Sequence, residues 1–320
     1  MPAPIVYLGS GAFGLPTLQH LASTRAIAAI VTQPDKPAGR GMKLTPTPIA
    51  QWASEHLPGV PIFKPANVNE PAIRDEIRAA SRAAGASAWV VIAFGQKLSP
   101  ELLADVFAIN LHASLLPRYR GAAPINAAML GGDEVTGNSV ITLADRMDAG
   151  LILGQSRRTI DPLVTFGQLH DLLAADGPAL VASVLDQHAA GTLQPQRQDE
   201  ALVTKARKLS KADGVLDFTR PARALRCQVH ALTPWPGVSV TLGTHRVKLL
   251  QVREHAATGT HAPTAANATT LISTSPALIA CGDNSALEPL IVQPESGKAM
   301  AYADFARSRT LPVGTVVTAM

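Results

Sequence analysis

Residues 107–117 read FAINLHASLLP, an apolar run that ends on an amide, Asn110, and an imidazole, His112, before the chain breaks into an irregular turn. A period of two puts both side chains on one face of a strand. Three similar runs precede it: IVYL (5–8), IAAIVT (27–32) and WVVIAF (89–94). Each is short and apolar throughout, and helical patterns fill the intervals, with helices predicted over 48–56 and 70–83. Strands apolar on both faces belong to a parallel sheet covered on both sides. The spacing therefore predicts an α/β domain with a doubly wound, mostly parallel, Rossmann-like sheet, running to about residue 190. Ligands of such sheets bind beyond the carboxyl ends of the strands, which is where Asn110 and His112 stand.

Downstream, strands over 137–143 and 151–160 enclose a turn at DRMDAG, which contains Asp148. A long helix over 165–188 follows, opened by Thr165 with Gln168 three positions on, a capping-box pattern. The chain turns polar over 191–208, as a linker would. Beyond it, VSVTL and VKLLQV alternate apolar and polar residues at close spacing, which predicts a small β-barrel. The Ala/Thr-rich stretch 256–270 is expected to be a mobile loop of that barrel. The expected division is 1–190, a linker at 191–208, and 209–320.

Composition narrows the function. Of 320 residues, 47% are hydrophobic and 16% charged, enough to pack two cores. No apolar run reaches the roughly 18 residues of a membrane helix, and MPAPIVYLG has neither the basic start nor the long apolar stretch of a signal peptide. Cys227 and Cys281 stand apart with no CxxC spacing, so reduced thiols in a cytoplasmic protein are expected, with no zinc site. Asn267 heads a glycosylation triplet, which without a secretory signal is a chance match. Net charge is +4, but residues 197–253 hold eleven Lys/Arg against four Asp/Glu, leaving the remainder at −3. A basic region on a near-neutral body fits an anionic macromolecule, and equally a solvated face. No heptad pattern points to assembly, so a monomer is expected.

Two motifs compete for the chemistry. Gly9, Gly11 and Gly14 match GxGxxG between a strand and a helix, the dinucleotide fingerprint. Its ribose-binding acid is missing from the end of the second strand, where Asp35 comes only after Pro34. Tight-turn glycines explain the motif as well as a cofactor does. The alternative is Asn110, His112 and Asp148. Singly, each reads as readily as a structural residue. Together they suit acyl transfer: an amide to donate to an oxyanion, an imidazole to donate or shuttle a proton, and a carboxylate to orient the ring.

The run INLHASLLPRYRGAAPI (109–125), with MDAG downstream, resembles the signature of the 10-formyltetrahydrofolate-dependent formyltransferases. The resemblance implies Asn110, His112 and Asp148 as the catalytic set and 10-formyltetrahydrofolate as formyl donor, without a metal. It implies that Ser114, Leu115, Leu116 and Pro117 lie in the folate site, and that Ile92, Phe94 and Gly95 line the pterin pocket. TQPDKPAGRGMKLTPTP (32–48) resembles the insertion loop by which the methionyl-tRNA formyltransferase branch engages the initiator tRNA, which implies RNA contacts for Lys36, Arg40 and Lys43. The run LVTKARKLSKADGVLDF (201–217) and TPWPG (233–237) resemble the linker and the OB-like tRNA-binding C-terminal domain of the same enzymes. Leu151 departs from the polar residue or proline that relatives often carry there. Rival expectations are a folate-dependent formyltransferase acting on a small amine, a 10-formyltetrahydrofolate hydrolase, a dehydrogenase built on the glycines, and a non-catalytic RNA-binding protein.

Overall fold

The computed structural model describes residues 2–39, 41–256 and 262–320. Among these residues, no helix is long and apolar enough to cross a membrane. The chain divides into two compact units that interleave along the sequence. One holds the chain up to Arg120, Gly137–Arg158 and His170–Lys205; the other holds Gly121–Thr136, Thr159–Leu169 and Ala206–Met320.

The first unit is built on a seven-stranded sheet. Its strands are β1 (Ile5–Gly9), β2 (Ile27–Val31), β3 (Ile62–Phe63), β4 (Ala88–Ile92), β5 (Ala108–His112), β6 (Val135–Thr142) and β7 (Ile152–Thr159), in the order β7-β6-β5-β4-β1-β2-β3. The five from β3 to β5 pair in parallel, and β6 runs antiparallel to β5. Every residue of β1 and β4 is buried, as two covered faces require. The connections reverse direction between β1 and β4, so a crevice opens past Gly9 and Ile92. The helices α1 (Leu15–Thr24), α2 (Pro48–His56) and α3 (Pro71–Ala83) each carry a proline in the first turn, where its missing N–H is no loss. Thr47 caps α2, its Oγ1 accepting from the Ala50 N–H at 3.0 Å. In the core, Trp89 is fully buried and its Nε1–H donates to Ser81 of α3 at 2.9 Å. The long helix α4 (Phe166–Ala189) starts as expected, and Gln168 Oε1 accepts from the Thr165 N–H at 2.9 Å and from the Thr165 hydroxyl at 3.1 Å.

The polar stretch expected to be a linker is pinned along this unit. Gln196 bridges to Ile152, Gln198 and Glu200 bond to Arg120, and the Thr204 hydroxyl accepts from the Tyr119 N–H. The buried guanidinium of Arg120 is the anchor, taking its acceptors from this segment.

The second unit is a closed antiparallel barrel of six strands: β8 (Val238–Leu242), β9 (His245–Ala256), β10 (Ala268–Thr274), β11 (Ala277–Cys281), β12 (Ser285–Pro294) and β13 (Val316–Ala319). Pairing of β9 with β12 closes it and removes the free edges. Burial in β8 alternates as the sequence pattern requires. The expected loop over 256–270 ends earlier than predicted, because Ala268 already begins β10 and Thr269 is buried, donating to the Ala280 carbonyl at 2.8 Å. Residues 257–261 lie outside the described part. A helix, α5 (Ala222–Ala231), packs Leu225 and Val229 into the barrel core with Val247, Leu249 and Val252.

His230, on α5, is 1% exposed and bonded through both nitrogens. Its Nδ1 lies 3.1 Å from the Pro162 carbonyl and its Nε2 accepts from the Val252 N–H at 3.0 Å. Only the neutral ring with hydrogen on Nδ1 fits both partners. Burial, with the Arg226 charge adding to it, lowers its pKa from 6.5 to about 4. Protons therefore favour the unfolded chain, and this unit should lose about 3 kcal/mol of stability as pH falls from about 6.5 to about 4. Denaturant unfolding followed over that range should show the loss, and His230→Gln should flatten the dependence while lowering stability at neutral pH.

Candidate active site

β5 presents the two side chains singled out in the sequence. Asn110 stands opposite Val91 of β4 and Ile141 of β6, and His112 opposite Ser139. Asn110 is half-buried, and its amide makes no side-chain hydrogen bond among the described residues, so its donors are open to a ligand. His112 is 6% exposed. Its Nε2 lies 2.9 Å from the Tyr119 carbonyl oxygen and its Nδ1 lies 3.7 Å from Asp148 Oδ2. A carbonyl only accepts, so Nε2 carries a hydrogen and donates. The Asp148 distance exceeds a hydrogen bond, so this carboxylate acts on the ring through its charge. The orienting role expected of Asp148 falls to Tyr119, a backbone partner that no side-chain pattern announces.

Asp148 itself has φ +56°, in the left-handed region that Asp tolerates better than most residues. Its turn is fastened at both ends. The Leu151 N–H donates to Thr142 Oγ1 at 2.9 Å and the Leu151 carbonyl accepts from Thr142, so the departure at Leu151 leaves the turn intact. The Gln198 side-chain amide donates to the carbonyls of Asp148 and Gly150, both at 2.8 Å.

Beyond His112 the chain enters the SLLP turn, which is held from within. Ser114 is buried and its hydroxyl donates to the Arg118 carbonyl at 2.7 Å. The buried Ser139 hydroxyl donates to the Ser114 carbonyl at 2.7 Å and accepts from the Leu116 N–H at 3.0 Å. Gln155 donates to the Leu116 carbonyl at 2.9 Å and to Ser139 at 2.8 Å. Leu116 is 3% exposed, whereas Leu115 and Pro117 are half-buried. Ser139 and Gln155 carry no motif of their own and were not singled out in the sequence.

The side chains of Ile92 and Phe94, expected to line a pterin pocket, are 0% and 2% exposed. Ile92 packs beneath the first glycine turn, and Phe94 belongs to the core with Val6 and Trp89. Ala93 and Gly95, both with positive φ, are the exposed residues between and after them. The strand end therefore offers backbone and small residues rather than apolar side chains. The carbonyl of Ala93 accepts from the N–H groups of Ser10 and Gly11 at 3.3 Å, and that of Phe94 accepts from Ser10 Oγ and Gln33 Nε2.

The GxGxxG turn has a packing purpose. A Cβ on Gly9 would meet the Tyr7 ring at 2.7 Å and the Ile92 carbonyl at 2.9 Å, and one on Gly14 would strike the Tyr7 hydroxyl. That hydroxyl donates to the Gly14 carbonyl at 2.7 Å. Asp35 pairs with Lys64 at 2.7 Å, not with a ribose site.

The stretch resembling the tRNA-binding loop forms a short hairpin, Lys36–Ala38 paired with Lys43–Thr45. Lys36 and Lys43 are exposed and form no ion pair among the described residues. Arg40 lies outside the described residues. Met42 and Leu44 are 69% and 65% exposed, apolar surface with no covering element of its own. No group of three His, Cys, Asp or Glu side chains able to hold a metal exists among the described residues.

Residues 5–185 match the Formyl transferase family and residues 208–310 match the Formyl transferase C-terminal domain. A methionyl-tRNA formyltransferase of Methylococcus capsulatus is 39% identical over 312 residues, covering 96% of this chain and 97% of its own. One from Cereibacter sphaeroides is 37% identical over 317 residues, covering 98% and 99%. Among solved structures, a sugar 3N-formyl transferase crystallised with dTDP and 5-N-formyl-THF is similar with a TM-score of 0.65 at 14% identity, covering 93% of this chain and 99% of its own. An N-formyltransferase from Helicobacter canadensis, in complex with folinic acid and dTDP-3-aminofucose, also has a TM-score of 0.65, at 12% identity, covering 92% and 100%. At such identities these two share the fold.

The buried Ser139 hydroxyl should be the weak point of the SLLP turn. Ser139→Ala leaves the Leu116 N–H and the Ser114 carbonyl without their partner, and should cost about 1–3 kcal/mol by equilibrium denaturation.

Proposed function

The chain belongs to the formyl transferase family, and from that membership we infer that it transfers a formyl group to the α-amino group of methionine on initiator methionyl-tRNA. The observation that carries this reading is that Asn110 and His112 stand on one face at the carboxyl end of β5 with Asp148 3.7 Å from His112, in a chain whose relatives span it nearly end to end. A reduced folate is the co-substrate, and we take the donor to be 10-formyltetrahydrofolate. The pterin would enter the crevice past β4 and β5, over Ala93 and Gly95 and beside Leu115 and Pro117. There, backbone groups and the Ser114–Pro117 turn would supply its polar and apolar contacts.

In the reaction the methionine nitrogen attacks the formyl carbon. A new C–N bond forms, the carbonyl oxygen takes up negative charge, and the bond to the folate N10 then breaks. Asn110, with free donors, hydrogen-bonds the oxyanion. His112 cannot reorient, because Nε2 is committed to Tyr119. Nδ1 is therefore the working nitrogen, between Asp148 and the reacting atoms. Nδ1 takes the proton that the attacking amine gives up and returns it to the departing folate nitrogen. Asp148, 3.7 Å away, offsets the positive charge on the ring between those two events.

On the macromolecular side, the exposed hairpin offers Lys36 and Lys43 to tRNA phosphates, and the resemblance adds Arg40. The surplus of basic residues over 197–253 gives the OB-like barrel a second share of the same polyanion. The functional division proposed is a catalytic domain over 1–190, a connecting segment at 191–208 and a tRNA-binding domain over 209–320. We propose a cytoplasmic monomer.

Asn110→Ala, His112→Ala and Asp148→Ala should each lower turnover on initiator methionyl-tRNA about a hundredfold or more, with tRNA affinity retained. Normal turnover in all three would remove these residues from the mechanism. The hairpin is tested separately. Lys36→Ala/Lys43→Ala should weaken tRNA binding and reduce the slope of log K against log salt by about 1–2, with kcat at saturating tRNA unchanged. An unaltered slope would take the hairpin off the RNA.

A further inference from the structure

The segment after α4, which sequence composition marks as a linker, carries a side chain that touches the backbone of the turn holding Asp148 directly. The Gln198 amide nitrogen donates to both the Asp148 and the Gly150 carbonyls at 2.8 Å, spanning the turn at the position where its backbone is left-handed. The amide is not free to flip. Its oxygen accepts from Arg120 Nε at 2.9 Å, so the N–H groups must face the turn.

Arg120 is 6% exposed and doubly held, its Nη2 donating to Glu200 at 2.9 Å. Glu200 in turn pairs with Arg146, two residues ahead of Asp148, at 3.0 Å. The two guanidinium groups, Arg120 first, hold the Glu200 carboxyl below its ordinary range, so the network stays charged at working pH. Arg120 directly follows Tyr119, whose carbonyl anchors His112. The same segment fastens that side as well, for Thr204 Oγ1 accepts from the Tyr119 N–H at 2.8 Å and the Thr204 carbonyl accepts from the Arg120 N–H at 2.9 Å. Residues 198–204 thus clamp both the turn that carries Asp148 and the Tyr119–Arg120 loop that orients His112.

We infer that Gln198 is a positioning residue: through Asp148 and Arg120 it sets the interval between the carboxylate and His112 Nδ1 on which the transfer step depends. This rests on the catalytic assignment of His112 and Asp148 made above. The 3.7 Å interval lies between two failures. About 1 Å closer, the carboxylate would hold a proton on Nδ1 by a direct hydrogen bond and so block it as the base; farther out, its charge would no longer be felt. A shift on this scale changes turnover without changing what binds.

The test compares kcat and KM of the full-length protein, with 10-formyltetrahydrofolate and initiator methionyl-tRNA, across Gln198→Leu, Gln198→Glu, Asp148→Ala and the double variant Gln198→Leu/Asp148→Ala. Gln198→Leu removes the donors and the acceptor. Gln198→Glu keeps the shape and the acceptor for Arg120 but sets a carboxylate with no hydrogen against two carbonyl oxygens, and it serves as the measurement if the leucine variant fails to fold. Each should lower kcat roughly 10- to 100-fold with both KM values within about threefold of wild type. In the Asp148→Ala background the same change should cost nothing further, because the carboxylate it positions is gone. Wild-type kcat in the folded Gln198 variants, beside an inactive Asp148→Ala, overturns this inference alone. So does a loss in the double variant that multiplies the two single losses, since a purely structural effect would add in that way. Normal turnover in Asp148→Ala overturns this inference together with the catalytic assignment.

Discussion

The hydrogen bond from His112 Nε2 to the Tyr119 carbonyl is the constraint around which the site is organised. A histidine at a strand end can turn about its side-chain bonds and share its two nitrogens among several partners. Committing one nitrogen to a backbone oxygen removes that freedom and leaves a single nitrogen for chemistry. The loop that provides the oxygen must then be held as firmly as the ring. That requirement accounts for the density of polar contacts around it, buried or part-buried for Ser139 and Gln155 under the SLLP turn and for Arg120 between Gln198 and Glu200, and exposed for Thr204 against Tyr119. Each is a polar group that would be costly to bury alone and becomes stabilising once paired.

The strands and helices of the first unit were legible in the sequence because their burial is simple. A segment covered on both faces has to be apolar throughout, and the runs at β1, β2, β4 and β5 are. The barrel was legible for the complementary reason, since half-buried strands alternate. The candidate trio of Asn110, His112 and Asp148 was readable as residue types, and the resemblance of the surrounding run supplied the chemistry proposed for it. What escaped was everything carried by backbone atoms or by unremarkable polar residues. No pattern of side chains announces that the Tyr119 carbonyl, rather than Asp148, orients His112.

Ile92 and Phe94 illustrate a second limit. They lie in a stretch that does reach the crevice, but alternation and packing turn their side chains into the core and leave Ala93 and Gly95 at the surface. A motif locates a segment without saying which of its atoms face the ligand. The polar stretch 191–208 carries more than its composition tells. Its composition is that of a solvated connector, yet Arg120, a cation buried to 6% exposure, depends on it for an acceptor and a counter-charge.

The interleaving of the two units bears on how the protein is made. The barrel unit draws on Gly121–Thr136 and Thr159–Leu169, which leave the ribosome long before β8 to β13 do. Asn126, for example, donates to the carbonyl of Ala231, more than a hundred residues later. During synthesis those early segments precede the barrel strands of the unit to which they belong. Cutting the gene between the two family-like halves would strand the same segments permanently. Neither half can be expected to behave as a self-sufficient module, although the sequence reads as two domains in series.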